Sequence, residues 1–292
     1  MNRDSLLLLF KEPIPVLDHG YVKLVDCMGT DDRIDSAART SYGGGEEEAR
    51  TPEEVRGLNR YMRRHRHSTP SEHCVMTLHV RLPIFVARQF IRHRTQSVSE
   101  ISGRYTVLKE EFYVPERGQI CYQSTTNGQG RSGPVDEDYA DKVIDLMTGM
   151  GAEAFSEYNA LLAAGVAKET ARMVLPLNVY TEWTFTMNAH NLFHMLGLRM
   201  EGHAQWEIQE YGRAMAQIVK AWLPFSYEAW EDYAFKAITL SRMEVNVTQA
   251  VFKMLGSVTV GMRPMLEAEL KNRGCSKREI DDFLRNFMTE GS

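Results

Sequence analysis

The sequence predicts an α+β protein, long enough for one large domain or two modest ones. Three observations carry this. Short stretches such as "GYVKLVDCM" (20–28) and "VYTEWTFTM" (179–187) alternate apolar and polar residues, as half-buried strands do. Longer stretches, above all 136–164 and 188–222, repeat their apolar residues at helical spacing. The two kinds of segment follow each other without a regular strand–helix–strand rhythm, which disfavours a doubly wound parallel sheet.

In chain order, the 20–28 strand leads into "TDDRIDSAARTSY", a short helix entered through Thr30 or Asp31. "GGGEEE" (43–48) reads as a loop and the start of a charged helix that runs to about His65. Thr69-Pro70-Ser71-Glu72 has the form of a capping box with proline at the first helical position. Cys74, Met76, Leu78 and Val80 form the inward set of a second strand. Pro83 then opens a helix with Ile84, Ala87 and Ile91 on one side and Arg88, Gln89, Arg92 and His93 on another. Residues 123–135, "QSTTNGQGRSGPV", read as a polar glycine-rich loop. Helices are expected from Asp136 to Ala164 and from Ala167 to Leu175, the second stopped by Pro176. A long one from Asn188 to about Trp222 is broken near Gly202. The tail is expected to hold two helices, one ended by Gly274 and the next opened by a Ser276/Glu279 capping box.

Composition narrows the function classes. With 34 Lys+Arg against 39 Asp+Glu, the net charge is −5, which argues against a general nucleic-acid coat. The apolar run Leu6–Phe10 is too short for a secretory core, and no later run approaches a membrane span. Cys27, Cys74, Cys121 and Cys275 are scattered without metal-ligand spacing, which points to reduced thiols in a cytoplasmic protein. The 16 methionines read as core filler.

Against that acidic background, Arg81, Arg88, Arg92, Arg94 and Arg104 crowd around one acid, Glu100. A solvated helix face is the plain reading. A bound phosphate is the sharper one, because arginine suits bidentate capture and Gly103 lets backbone N–H groups approach an anion. His190/His194 and His203/Glu207 have the i, i+4 spacing of metal ligands, but the glutamate of an HExxH motif is missing; hydrogen-bonded histidines fit better, and no metal is expected. No dinucleotide, triphosphate or serine-hydrolase motif occurs. Another flavin or nucleotide enzyme, a nucleic-acid-binding regulator and a zinc hydrolase stay open on these residues alone.

Taken together, "RHRTQSVSEISGRY" resembles the signature of the flavin-dependent thymidylate synthases: Arg-His-Arg, seven residues, then serine, met here by Arg92-His93-Arg94 and Ser102. "AARTSYG", "HSTPSEH", "PIFVARQFIRHR", "ARMVLPLN", "TMNAHNLFHMLGLR" and "HAQWEI" resemble family segments in the same order, roughly from Gly20 to Leu240. The resemblance implies a single catalytic domain over 20–240, a sheet flanked by helices, leaving an N-terminal extension (1–19) and a C-terminal helical extension (241–292) outside it; the latter is expected to pack against a neighbouring subunit. It implies reductive methylation of dUMP to dTMP, with methylenetetrahydrofolate as carbon donor, FAD as redox cofactor and NADPH as reductant. It also implies homotetramers whose active sites are shared between subunits, with no nucleic-acid or membrane partner.

Residue by residue, the resemblance places dUMP against Gln89, Phe90, Ile91, Arg92, Glu100, Ile101, Ser102, Gly103, Arg104, Arg172 and Arg199. It places FAD against Ser41, His67, Thr69, Glu72, Arg92, His93, Arg94, Glu100, Asn188, Ala189, His190 and His194. Arg199 matches the arginine assigned to polarise the uracil ring, in place of a cysteine adding at C6. Ser102 is expected to donate a hydrogen bond rather than act as nucleophile.

Overall fold

The computed structural model describes residues 2–43, 50–255 and 257–287. Seven strands are present among them: β1 (Ile14–Val16), β2 (Gly20–Met28), β3 (Val75–Pro83), β4 (Ser97–Glu100), β5 (Cys121–Gln123), β6 (Arg131–Pro134) and β7 (Tyr180–Asn188). Five make one antiparallel sheet in the order β1-β2-β3-β7-β4. The expected strands at 20–28 and 179–187 are therefore two of its central members.

Alternation decides which face is buried. Met76, Leu78, Val80 and Leu82 on β3 and Trp183, Phe185 and Met187 on β7 all point into the core, with Val22 and Leu24 beside them on β2. A bulge between Leu24 and Asp26 shifts the alternation by one residue. Cys27 is turned inward by it, and Val25 is left exposed. The helices Ala189–Arg199 and Trp206–Trp222 cover this face with Leu192, Phe193, Leu196, Tyr211, Met215 and Trp222. The opposite face is half-buried and polar, where Thr77 bonds Thr186 (2.8 Å) and His79 bonds Thr184 (2.9 Å).

Several local expectations change. The charged helix is Pro52–Arg64, opened by a capping box between Thr51 and Glu54 that was not anticipated; most of "GGGEEE" lies outside the described residues. At Thr69–Glu72 the order is reversed: Ser68 is the N-cap, Thr69 is already helical, and no side chain caps the turn. The helix after β3 is Ile84–Phe90, with Pro83 as N-cap. It buries Val86, Ala87 and Phe90, whereas Ile91 is exposed, because the helix ends before its next turn could bring Ile91 inward. The glycine-rich loop is the turn of a β5–β6 hairpin, where Gln123 donates to the carbonyl of Gly130 (2.8 Å). An unforeseen helix, Pro224–Trp230, follows Trp222; buried Asp31 caps it by accepting from the backbone of Phe225 (2.9 Å) and Ser226 (3.0 Å).

The helix Glu137–Ala163 starts at Asp136, as expected, and closes a second small core around Phe155, Tyr158, Ala171 and Val179. Residues Met1–Phe235 form one compact unit and Lys236–Ser292 another. The second unit holds three helices rather than two: Arg242–Leu255, Ser257–Asn272 and Lys277–Phe287. Gly274 ends the middle one at φ +84°, and the Ser276/Glu279 box opens the last (Ser276 N–H to Glu279, 2.6 Å). The α+β expectation of a sheet flanked by helices describes the first unit, and the structure adds that the sheet is antiparallel.

Candidate active site

The arginine-rich segment is a connection with a defined course. After Phe90 the chain turns, and the carbonyl of Phe90 accepts from the His93 N–H (3.0 Å) and from the Gln96 amide (3.1 Å). β4 then runs along the edge of the sheet beside β7, with Glu100 opposite Trp183. The Ile101 N–H continues that pairing to the Glu182 carbonyl (2.9 Å), and a turn closes where Tyr105 and Thr106 donate to the Ser102 carbonyl (3.0 Å each). Antiparallel register thus sets Glu100, Ile101 and Ser102 beside Thr181.

These residues line a cavity of about 330 Å³ together with Gly103, Arg172, Ile84, Leu108 and Tyr180. Its polar groups are sharply placed. Thr181 donates to the Glu100 carboxylate at 2.7 Å. A Cβ on Gly103 would stand 3.2 Å from Arg172 Cδ and 3.2 Å from Leu108 Cδ1, so glycine gives the Arg172 side chain room to lie across the backbone. Arg104, next in the chain, donates to Glu169 (3.1 Å) and stands outside this cavity's lining. Gln89 is bonded to Gln205 (2.6 Å).

A second group gathers at the far end of the Ala189–Arg199 helix. Arg199 Nε donates to His93 Nε2 at 2.9 Å, and the His194 ring meets His93 edge-on with centroids 6.3 Å apart. Burial, then the Arg199 charge and His194, push the His93 imidazole down to about 4. Burial also lowers Arg199 below the usual arginine range.

A third group lies one helical turn earlier. His190 has a buried Nδ1 with no hydrogen-bond partner, and its pKa is lowered by burial and by Arg63, against the raising influence of Glu72. Arg63 stacks over the Phe193 ring at 4.8 Å, and burial lowers it to about 10. Asn188 caps the helix by accepting from Asn191 N–H (2.9 Å). The short Thr69–Glu72 helix packs against this one, and His67 lies beside Tyr61 and His65. Ser41 lies in the turn Thr40–Tyr42 after the Asp31–Arg39 helix.

The expected nucleotide residues Glu100, Ile101, Ser102, Gly103 and Arg172 therefore share one cavity, whereas Arg199 belongs with His93 and His194. The side chains of Phe90 and Ala189 are committed to the core, at 2% and 0% exposure, so only their backbones can face a ligand. Thr181, Tyr180 and Arg63 were not among the expected residues. Strand alternation could have flagged Thr181; nothing local marks Arg63. Among the described residues no three His, Cys, Asp or Glu side chains gather as metal ligands, and His203 and Glu207 are drawn to Glu201 and Tyr113.

Arg3, Arg117 and Arg273 each bond a nearby carboxylate at 2.5–2.7 Å. The side chains of Arg88, Arg92, Arg94 and Arg172 are exposed and, among the described residues, make no hydrogen bond or ion pair; the same holds for Arg66 and Arg242.

Comparison with known proteins gives the same direction. The family model described as "thymidylate synthase complementing protein" matches residues 23–225. A flavin-dependent thymidylate synthase from Ruegeria pomeroyi is 46% identical over 276 residues, covering 92% of this chain and 86% of the relative. One from Thermus thermophilus is 46% identical over 261 residues, covering 87% and 94%. Among solved structures, the UMP/dUMP methylase PolB from Streptomyces cacaoi bound with 5-Br dUMP is similar at a TM-score of 0.67. Its identity is 36%, over 74% of this chain and 96% of that one. With its model match and its relatives in accord, the chain belongs to the flavin-dependent thymidylate synthase family of methyltransferase enzymes.

Proposed function

We propose that this enzyme methylates dUMP to dTMP, with methylenetetrahydrofolate as the carbon donor, FAD as redox cofactor and NADPH as reductant. The observation that carries the reading is the cavity in which Glu100, Ser102, Gly103 and Arg172 meet, with unpaired arginines on the connecting segment. Arg172 and the backbone at Gly103 suit the phosphate of the nucleotide, and the Glu100 carboxylate accepts hydrogen bonds from a sugar or base.

The residues also fit a flavin. The buried His190 Nδ1 lacks a partner, and Arg92 and Arg94 are free to meet a diphosphate, with His67, Thr69, Glu72, Asn188 and His194 on neighbouring elements. Bound flavin would supply the hydride that reduces the transferred carbon to a methyl group. Arg199 acts on the substrate itself: a guanidinium at the uracil carbonyl edge stabilises the negative charge that develops when C5 becomes nucleophilic. None of the four cysteines falls in a segment that resembles the nucleotide site, so this electrostatic activation is proposed in place of thiol addition.

The enzyme is proposed to work in the cytoplasm as a homotetramer whose sites are shared between subunits, within a catalytic domain over 20–240. No described helix is long and apolar enough to cross a membrane. NADPH oxidation by the protein supplied with FAD, with and without dUMP, tests the reading. Marked acceleration by dUMP is expected, followed by dTMP formation once methylenetetrahydrofolate is added. Oxidation indifferent to dUMP would point instead to a generic flavin reductase.

A further inference from the structure

The contact between His93 and Arg199 has an unusual direction. Arginine can only donate, so the 2.9 Å contact from Arg199 Nε requires a lone pair on His93 Nε2. Imidazolium has no such lone pair. His93 must therefore be neutral with its proton on Nδ1, a tautomer set by its partner. The charged and titratable groups facing it are Arg199 and His194, both from the Ala189–Arg199 helix, so protonating His93 would place positive charge against positive charge. The two Nη groups of Arg199 have no partner among the described residues.

We propose that His93 is the positioning residue for Arg199, fixing its guanidinium through Nε so that both Nη groups remain for the substrate ring. The inference rests on the reading of Arg199 as the group that acts on uracil, and it gives His93 a task besides any flavin contact. An arginine side chain has several rotatable bonds, and a guanidinium held by one end presents its remaining donors in a single plane. Holding that plane before reaction lets the donors meet developing charge without reorganising.

The test uses the purified flavoenzyme with Arg199→Ala, His93→Phe, His93→Gln and the double variant H93F/R199A. Phenylalanine keeps the ring but no acceptor; the glutamine carbonyl restores one near the Nε2 position. His93→Phe is expected to lower kcat for dTMP formation roughly 100-fold, the scale of a misplaced reacting group, with a much smaller change in KM for dUMP. His93→Gln is expected to recover most of that loss. The double variant should be no slower than Arg199→Ala, since a positioner has nothing left to position.

Losses that multiply in the double variant, or a fully active His93→Phe, would overturn the proposal. An active Arg199→Ala would instead overturn the reading of Arg199 on which it rests. Where a His93 variant fails to retain flavin, spectra of the ¹⁵N-histidine-labelled wild type decide. A neutral, Nδ1-protonated His93 that persists well below pH 6 supports the proposal; a His93 that titrates at the ordinary histidine midpoint sinks it.

Discussion

At the residue scale the Arg-His-Arg–x7–Ser spacing has a physical meaning. It is the length of chain needed to leave a helix, turn back under the Phe90 carbonyl and run an edge strand to the pocket. Arg199→Ala is expected to abolish methyl transfer nearly completely while flavin content, read from absorbance, stays normal. Arg172→Ala should weaken dUMP binding in titration by about 10- to 100-fold, because hydrogen bonds between charged groups are worth ~1.5–3 kcal/mol. Arg104→Ala should also weaken dUMP binding, and equal affinity would remove Arg104 from the nucleotide's contacts. Its bond to Glu169 means that the nucleotide must compete with that acid for it. Acid sensitivity follows from His93. Its pKa of about 4 in the folded protein lies below the usual 6.5, so the unfolded chain gains the proton first as pH falls. Its contribution to stability is therefore intact above pH 6.5 and is lost toward pH 4, and His93→Gln should flatten that part of a melting-temperature profile.

At the scale of elements, the strands of the sheet were legible wherever one face is apolar, because alternation is a direct print of burial. Helix ends were less so. Thr51-x-x-Glu54 and Thr69-x-x-Glu72 have the same local form, yet only the first caps. Chain direction before Thr69 makes Ser68 the cap, and no pattern of four residues encodes that direction. Thr51→Ala should thus cost about 1 kcal/mol in a denaturant titration, the usual worth of an N-cap. Thr69→Ala should cost little in the protein without ligand. The hairpin β5–β6 was read as loop because its glycines and polar residues dominate, although its strands are short and exposed.

For the whole molecule, the site's general location was readable and its assembly was not. Glu100 and Thr181 touch, as do His93 and Arg199, yet each pair is far apart in the chain and nothing local links its members. The antiparallel pairing of β4 with β7 is what brings Glu100, Ile101 and Ser102 beside Thr181. Every expected site residue lies within Met1–Phe235. For a chain ending at Phe235, melting temperature and assembly, followed by calorimetry and light scattering, should fall if the tail packs on a neighbouring subunit, and dUMP binding should fall with assembly because the sites are proposed to be shared. An equally stable tetramer would show that the tail has another task.

The edge position of β4 also governs when the enzyme can come into being. Among the described strands, Ser97–Glu100 pairs only with Tyr180–Asn188. A ribosome that has just released the first segment has yet to make the second, so the nascent Ser97–Glu100 segment has no strand to pair with. Synthesis must pass Thr186 before β4 can pair in full and the cavity between Glu100 and Thr181 can close. An interrupted message that stops short of Tyr180 therefore yields a chain carrying the family signature and no working pocket.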